Sequence, residues 1–197
     1  MIDDSSEEIQ DAQLMTALAS GNDPALNLLI RRWSPRILAY LSRHTENHAT
    51  AVDLTQETFV RLYQNRHRYD PDRTFSTWLY TLAGNLLRNH ARWQKRHPVT
   101  HLEPEALSEQ SPPADTPDPH DQLATSERAA AVRQAIKALP TELREPLLLS
   151  TYEHLPHHQI ATILGLSEKA VEMRLYRARL SLRESLKKWL PQGVEGG

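Results

Sequence analysis

Apolar residues recur every three or four positions along most of this chain, and strict alternation is absent, so the pattern predicts helices. Asp11 to Ala19 carries Leu14, Met15 and Leu18 on one face. Asn22-Asp23-Pro24 opens a second helix through Leu41, with Leu26, Leu29, Ile30, Trp33, Ile37 and Leu41 at helical spacing. Ala49 to Gln64 forms a third, with Val52, Phe59, Leu62 and Tyr63 apolar. Arg66 to Arg73 reads as a loop, after which Thr74 or Ser76 caps a fourth helix running to about Arg96. Its stripe is Phe75, Trp78, Leu79, Leu82 and Leu86, which Trp93 can extend, and it favours the core for Trp78 over an exposed, stacking position.

A second helical block follows from Leu139 to Leu186. Ile160, Ala161, Ile163 and Leu164 give a short helix an apolar face, Gly165 marks a turn of positive φ, and Ser167 caps the next helix. Glu168 suits the positive end of that helix. Val171, Leu175, Ala178, Leu182 and Leu186 form its buried stripe. From Lys169 to Lys188 there are seven Lys/Arg against Glu172 and Glu184, a local charge of +5. A basic helix presented after such a turn suits the DNA major groove.

Between the blocks, residues 97–126 hold six prolines, six acids and no Lys or Arg. Such a stretch buries too little apolar surface to offset its ordering entropy and reads as an extended linker. The expected architecture is therefore all-α: two small helical domains, 1–96 and 127–190, joined by a Pro-rich acidic linker over 97–126, with a tail over 191–197 and a helix-turn-helix in the C-terminal domain.

The formal charge of −2 does not by itself point to nucleic acid, but its distribution does. Arg61 to Arg96 carries a net +6, so two basic patches flank an acidic strap. The chain has no cysteine, which excludes a disulfide framework and thiolate metal sites. No apolar run approaches a membrane span and the acidic N-terminus is unlike a signal peptide, so the expected location is the cytoplasm, without membrane insertion. His154, His157 and His158 are loosely spaced like metal ligands, but Pro156 interrupts them and solvent exposure is the expectation. Neither a metal nor a cofactor is expected. No glycine-rich phosphate loop or recognisable Ser/His/Asp set is present, so no enzyme activity is expected.

Three motifs then coincide in order. "DLTQETFVRLYQ" (Asp53 to Gln64) is similar to the signature helix of region two of bacterial sigma factors. "FSTWLYTLAGNLLRNHARWQKR" (Phe75 to Arg96) looks like the promoter-melting, minus-ten-reading helix that follows it. Leu139 to Leu182 looks like region four. Together, over about residues 11–96 and 127–187, the chain resembles the two-domain extracytoplasmic-function sigma factors. The resemblance implies a transcription initiation factor whose partners are core RNA polymerase, double-stranded promoter DNA, the melted non-template strand and an anti-sigma factor.

Residue by residue, Asp53, Gln56 and Glu57 match the positions that dock on the clamp helices of the largest polymerase subunit. Asn85 matches the asparagine that reads an extruded base, a role that suits an amide able to donate and accept along one base edge. Tyr80 and Trp93 either stack on bases or belong to the core. Arg88, Arg92, Lys95 and Arg96 match phosphate-holding positions. In the helix-turn-helix the matches fall on Ser167, Lys169, Glu172, Met173, Arg174, Tyr176 and Arg177. Glu172 and Met173 depart from the commoner basic or small polar residues, Thr81 stands where arginine is frequent, and His157-His158-Gln159 replaces an aromatic–acidic run. The linker either enters the polymerase cleft as a mimic of nucleic acid or serves only as a connector. Two other functions remain at this level: a sigma-like decoy that sequesters an anti-sigma factor, and an ordinary helix-turn-helix regulator.

Overall fold

Among the described residues the amphipathic runs fold as eight α-helices: α1 (Asp4–Ala19), α2 (Pro24–Ser42), α3 (His48–Gln64), α4 (Phe75–Arg96), α5 (Pro119–Ala138), α6 (Thr141–Thr151), α7 (His157–Leu164) and α8 (Glu168–Ser185). The computed structural model describes residues 4–45, 47–97 and 119–189, with backbone alone for 4–6 and 119–126. No strand occurs among the described residues. Most of the linker and the tail lie outside them, and with them the expectation that the linker enters the polymerase cleft.

Helices α1–α4 enclose one part of the core. Met15, Leu18, Leu29, Ile37, Leu41, Leu62 and Leu79 are fully buried there. Trp33 sits edge-on between Phe75 at 5.5 Å and Tyr80 at 6.1 Å, and Tyr80 meets Tyr40 at 5.3 Å. Such edge-to-face pairs favour one arrangement of these rings. Trp78 is half-buried against Tyr69.

Helix α1 begins seven residues before the apolar pattern does, because acids rather than hydrophobes anchor its first turns. Asp11 is buried and accepts from Arg32 Nη1 at 2.7 Å and Trp33 Nε1 at 2.8 Å. Burial outweighs these bonds and holds its carboxyl above the usual carboxylate range. Glu8 accepts from the Phe75 backbone N–H at 2.9 Å, satisfying a free donor of α4. Consequently neither expected hydroxyl caps α4. The Thr74 hydroxyl bonds Thr77 Oγ1 at 2.7 Å, and Ser76 is buried inside the helix.

Helix α5 begins at Pro119, inside the stretch expected to be linker. Proline suits the first turn of a helix, and the following run contains strong helix formers such as Ala129, Ala130 and Ala131. In the C-terminal unit, Leu147, Leu149, Ile160, Ile163, Val171, Leu175 and Ala178 are buried. Gly165 is left-handed, with φ 66° and ψ 41°, and the Leu166 N–H bonds Ala161 O at 2.9 Å to close the end of α7. Ser167 then caps α8 by accepting from the Ala170 N–H at 3.2 Å. Helix α7 packs on α4, so the two units form one continuous core.

Candidate polymerase and nucleic-acid surfaces

Three faces carry the residues singled out by the sequence. On α3, the Thr55 and Thr58 hydroxyls turn inward to the Ala51 and Leu54 carbonyls, each at 2.7 Å. Asp53 and Gln56 are thereby left exposed on the outside. Glu57 is half-buried and accepts from Arg61 Nε at 2.7 Å. Beside them an apolar groove of about 600 Å³ runs between α2 and α3, lined by Leu26, Ile30, Gln56, Phe59, Val60 and Tyr63. Val60 is exposed in it.

On α4 the predicted residues separate. Asn85 is exposed, and its amide oxygen accepts from Arg88 Nη2 at 2.8 Å. Arg92, Trp93, Lys95 and Arg96 are exposed on the last two turns. Trp93 stacks on His97 at 5.1 Å and 24°, leaving about half its surface open. Tyr80, by contrast, is in the core, which resolves its two readings for this conformation. Its hydroxyl donates to Glu153, and burial together with that carboxylate raises its pKa far above the ordinary phenol value. Arg88 is also engaged inward: its Nη1 donates to Glu145 Oε1 at 2.5 Å.

On α8, Lys169, Glu172, Met173, Tyr176 and Arg177 are exposed along the outer face, and Ser167 is exposed at its start. Arg174 is half-buried instead and acts electrostatically on the Glu145 carboxylate. Burial pushes that carboxylate upward in pKa, against the opposing pull of Arg88 and Arg174. His154, His157 and His158 are exposed, and no group of three His, Asp or Glu side chains suited to a metal gathers among the described residues.

Sequence reasoning missed the residues that join the units: Tyr40, Arg43, Glu145 and Glu153. Glu145 directly precedes the apolar run Pro146–Leu149 and is buried with it. An acid adjoining a buried run was the one available signal. Arg43 donates to Glu153 at 3.4 Å and lies 4.1 Å from the Tyr152 ring centroid.

Comparison with known proteins places these faces in a family. Residues 29–97 match Sigma-70 region 2, and residues 129–182 match Sigma-70, region 4. The RNA polymerase sigma-H factor of Pseudomonas aeruginosa is 31% identical over 181 residues, spanning 90% of this chain and 94% of that protein. The ECF RNA polymerase sigma-E factor of Escherichia coli strain K12 is 28% identical over 178 residues, spanning 88% and 93%. The solved structure of CnrH in complex with the cytosolic domain of CnrY superposes with a TM-score of 0.67 at 26% identity, covering 90% of this chain and 97% of that one. Two family regions in the order of the two helical units, together with relatives matched over nearly their whole length, make this chain an extracytoplasmic-function member of the sigma-70 family, a factor that directs RNA polymerase to promoters for transcription initiation.

Proposed function

We propose that the three faces divide the work of initiation, within working units of residues 1–96 and 127–190 joined by 97–126. The α3 face docks core RNA polymerase through Asp53, Gln56 and Glu57, with the apolar groove beside Gln56 supplying area that charged residues alone lack. The α4 face holds the melted minus-ten strand. Asn85 reads a base edge, Trp93 and Tyr80 offer rings, and Arg88, Arg92, Lys95 and Arg96 hold phosphates. Tyr80 reaches a base only if it leaves its present place in the core. Helix α8 enters the minus-thirty-five major groove, with Lys169, Glu172, Met173, Arg174, Tyr176 and Arg177 available to edges or phosphates and Ser167 positioning its first turn.

The observation that carries this reading is the exposure of the α8 outer face directly after a well-formed turn and cap. The protein acts by binding and has no catalytic step of its own, and it works in the cytoplasm. Among the described residues no helix is long and apolar enough to cross a membrane. An anti-sigma factor completes the partner set; the bound cytosolic domain of CnrY on the similar CnrH fits that expectation.

Run-off transcription with core polymerase, on fragments including the upstream region of this protein's own gene, tests the whole. A discrete new transcript is expected. Binding to core without a transcript on any promoter would favour a decoy, and no binding to core would remove the reading. Asn85→Ala should spare core binding and impair strand opening; unaltered permanganate footprints of the melted region would refute its role.

A further inference from the structure

Helix α8 carries an apolar ridge on the side turned away from its core. Met173, Tyr176 and Leu180 expose 44%, 59% and 49% of their surfaces. Among the described residues, α1 to α5 each expose only one large hydrophobic side chain. At about 3.6 residues per turn the three lie opposite the buried stripe of Val171, Leu175 and Ala178, along roughly 10 Å of helix. A helix face that meets only water carries polar residues there. A row of large apolar side chains in their place marks a contact surface.

The flanks of the ridge select its partner. Arg177 is exposed on one side of it, and Arg179 and Arg183 are exposed on the other. Cations on both sides of an apolar ridge complement the DNA major groove, whose walls are phosphates and whose floor carries the thymine methyl groups. Glu172 adjoins Met173 and is exposed with it. An acid repels phosphate but accepts from the amino group of a cytosine edge. Methionine has no donor and only a weak acceptor, so a base edge rewards it through apolar contact. Neither member of the pair suits the backbone, and both suit bases. Their place agrees, because Met173 lies in the second turn after the Ser167 cap, and such helices meet base edges through their N-terminal residues.

We propose that Met173 is a specificity-determining residue that fixes a thymine in the minus-thirty-five element: its side chain packs on the thymine C5 methyl in the major groove, with Tyr176 on the same face, while Arg177 and Arg179 hold the two phosphate walls. This rests on the minus-thirty-five reading of α8. A promoter is then chosen partly by a methyl group, and a duplex that differs only in lacking that methyl is a poorer site.

The full chain assembled with core RNA polymerase is used to select from a random-sequence duplex pool, with core polymerase alone as the background. Each thymine in the upstream half of the enriched sequence is then exchanged for deoxyuridine, which removes the methyl and leaves the base pairing unchanged. At one of these thymines binding should fall about fourfold, the share of one buried methyl group. In Met173→Ala the same exchange should make no difference. Met173→Arg should change the selected base at that position from thymine to guanine. Met173 is exposed, so neither variant disturbs the core, and an unchanged downstream half of the selected sequence shows that both are folded. Deoxyuridine tolerated at every position, or a loss that persists in Met173→Ala, overturns the methyl contact and leaves α8 in the groove. Unchanged selection by Met173→Ala with weaker binding to core assigns the ridge to a protein partner and also overturns it. If no upstream sequence is enriched over core alone, the minus-thirty-five reading of α8 falls, and the role of Met173 with it.

Discussion

His44, near the C-terminal end of α2, offers a quantitative test of how the units are packed. Both of its ring nitrogens are buried without a hydrogen-bond partner, and its ring meets Tyr40 edge-on at 4.8 Å. Burial first, then the guanidinium groups of Arg144 on α6 and Arg43 beside it, lowers its pKa to about 3. In the unfolded chain the ring titrates near its ordinary value of 6.5. The native state therefore binds fewer protons than the unfolded state between those values. Stability rises with pH across that window and is lost as pH falls. At pH 5 the native ring is still neutral while the unfolded ring is almost wholly charged. At about 1.4 kcal/mol per pH unit, this costs ~2 kcal/mol relative to pH 7. For a protein of this size that corresponds to a Tm lower by about 4–8 °C. Comparing melts of the wild type and His44→Phe at pH 7 and pH 5 isolates the His44 share from those of the other histidines. The variant should lose less Tm on acidification by about that amount. Proton NMR gives the direct check: the His44 imidazole should not titrate above pH 5. A ring titrating near 6.5, or equal acid losses in the two proteins, would refute the buried, arginine-flanked placement of this side chain.

Asp11→Ala should destabilise the fold by about 1–3 kcal/mol in urea unfolding, chiefly by stranding the buried Trp33 N–H. Because the Asp11 carboxyl is held above its ordinary range, its ionisation opposes folding as pH rises through that folded value. The variant should therefore lack that part of the pH dependence, which melts between pH 3 and 6 would show. Gly165→Ala meets open space but must adopt φ 66°, so it should cost about 1–2 kcal/mol in urea unfolding and weaken duplex binding by misaligning α8. Trp93→Ala removes an exposed ring and should change stability by less than about 0.5 kcal/mol. If Trp93 stacks on a base, the same change weakens single-strand binding by about 1–3 kcal/mol, and equal affinity would exclude the stacking.

Local signals were legible wherever they act within a turn or two of chain. The helix-turn-helix is the clearest case. Gly165 and Ser167 act through backbone conformation and one hydrogen bond three residues away, so their roles could be read before any contact was known. The stripe of α2 was equally readable, because one buried face repeats along its length. The length of α1 was not. Its first turns are held by Arg32, Trp33 and Phe75, over 20 residues distant in sequence, so apolar periodicity carried no trace of them. The start of α5 was missed because prolines and acids upstream masked a run of helix formers. Tyr80 could be read either as core or as a base-stacking ring, since periodicity alone cannot rank neighbouring aromatics on one helix. Packing against Trp33 and Tyr40, with a bond to Glu153, puts it in the core in this conformation. The sequence by itself determined the helical class, the two units, the basic faces and the family. Only the tertiary structure brought Arg88 to Glu145 across 57 residues and Tyr80 to Glu153 across 73. Such pairings follow from how whole helices pack, and a charge pattern records which ions exist but not which of them meet.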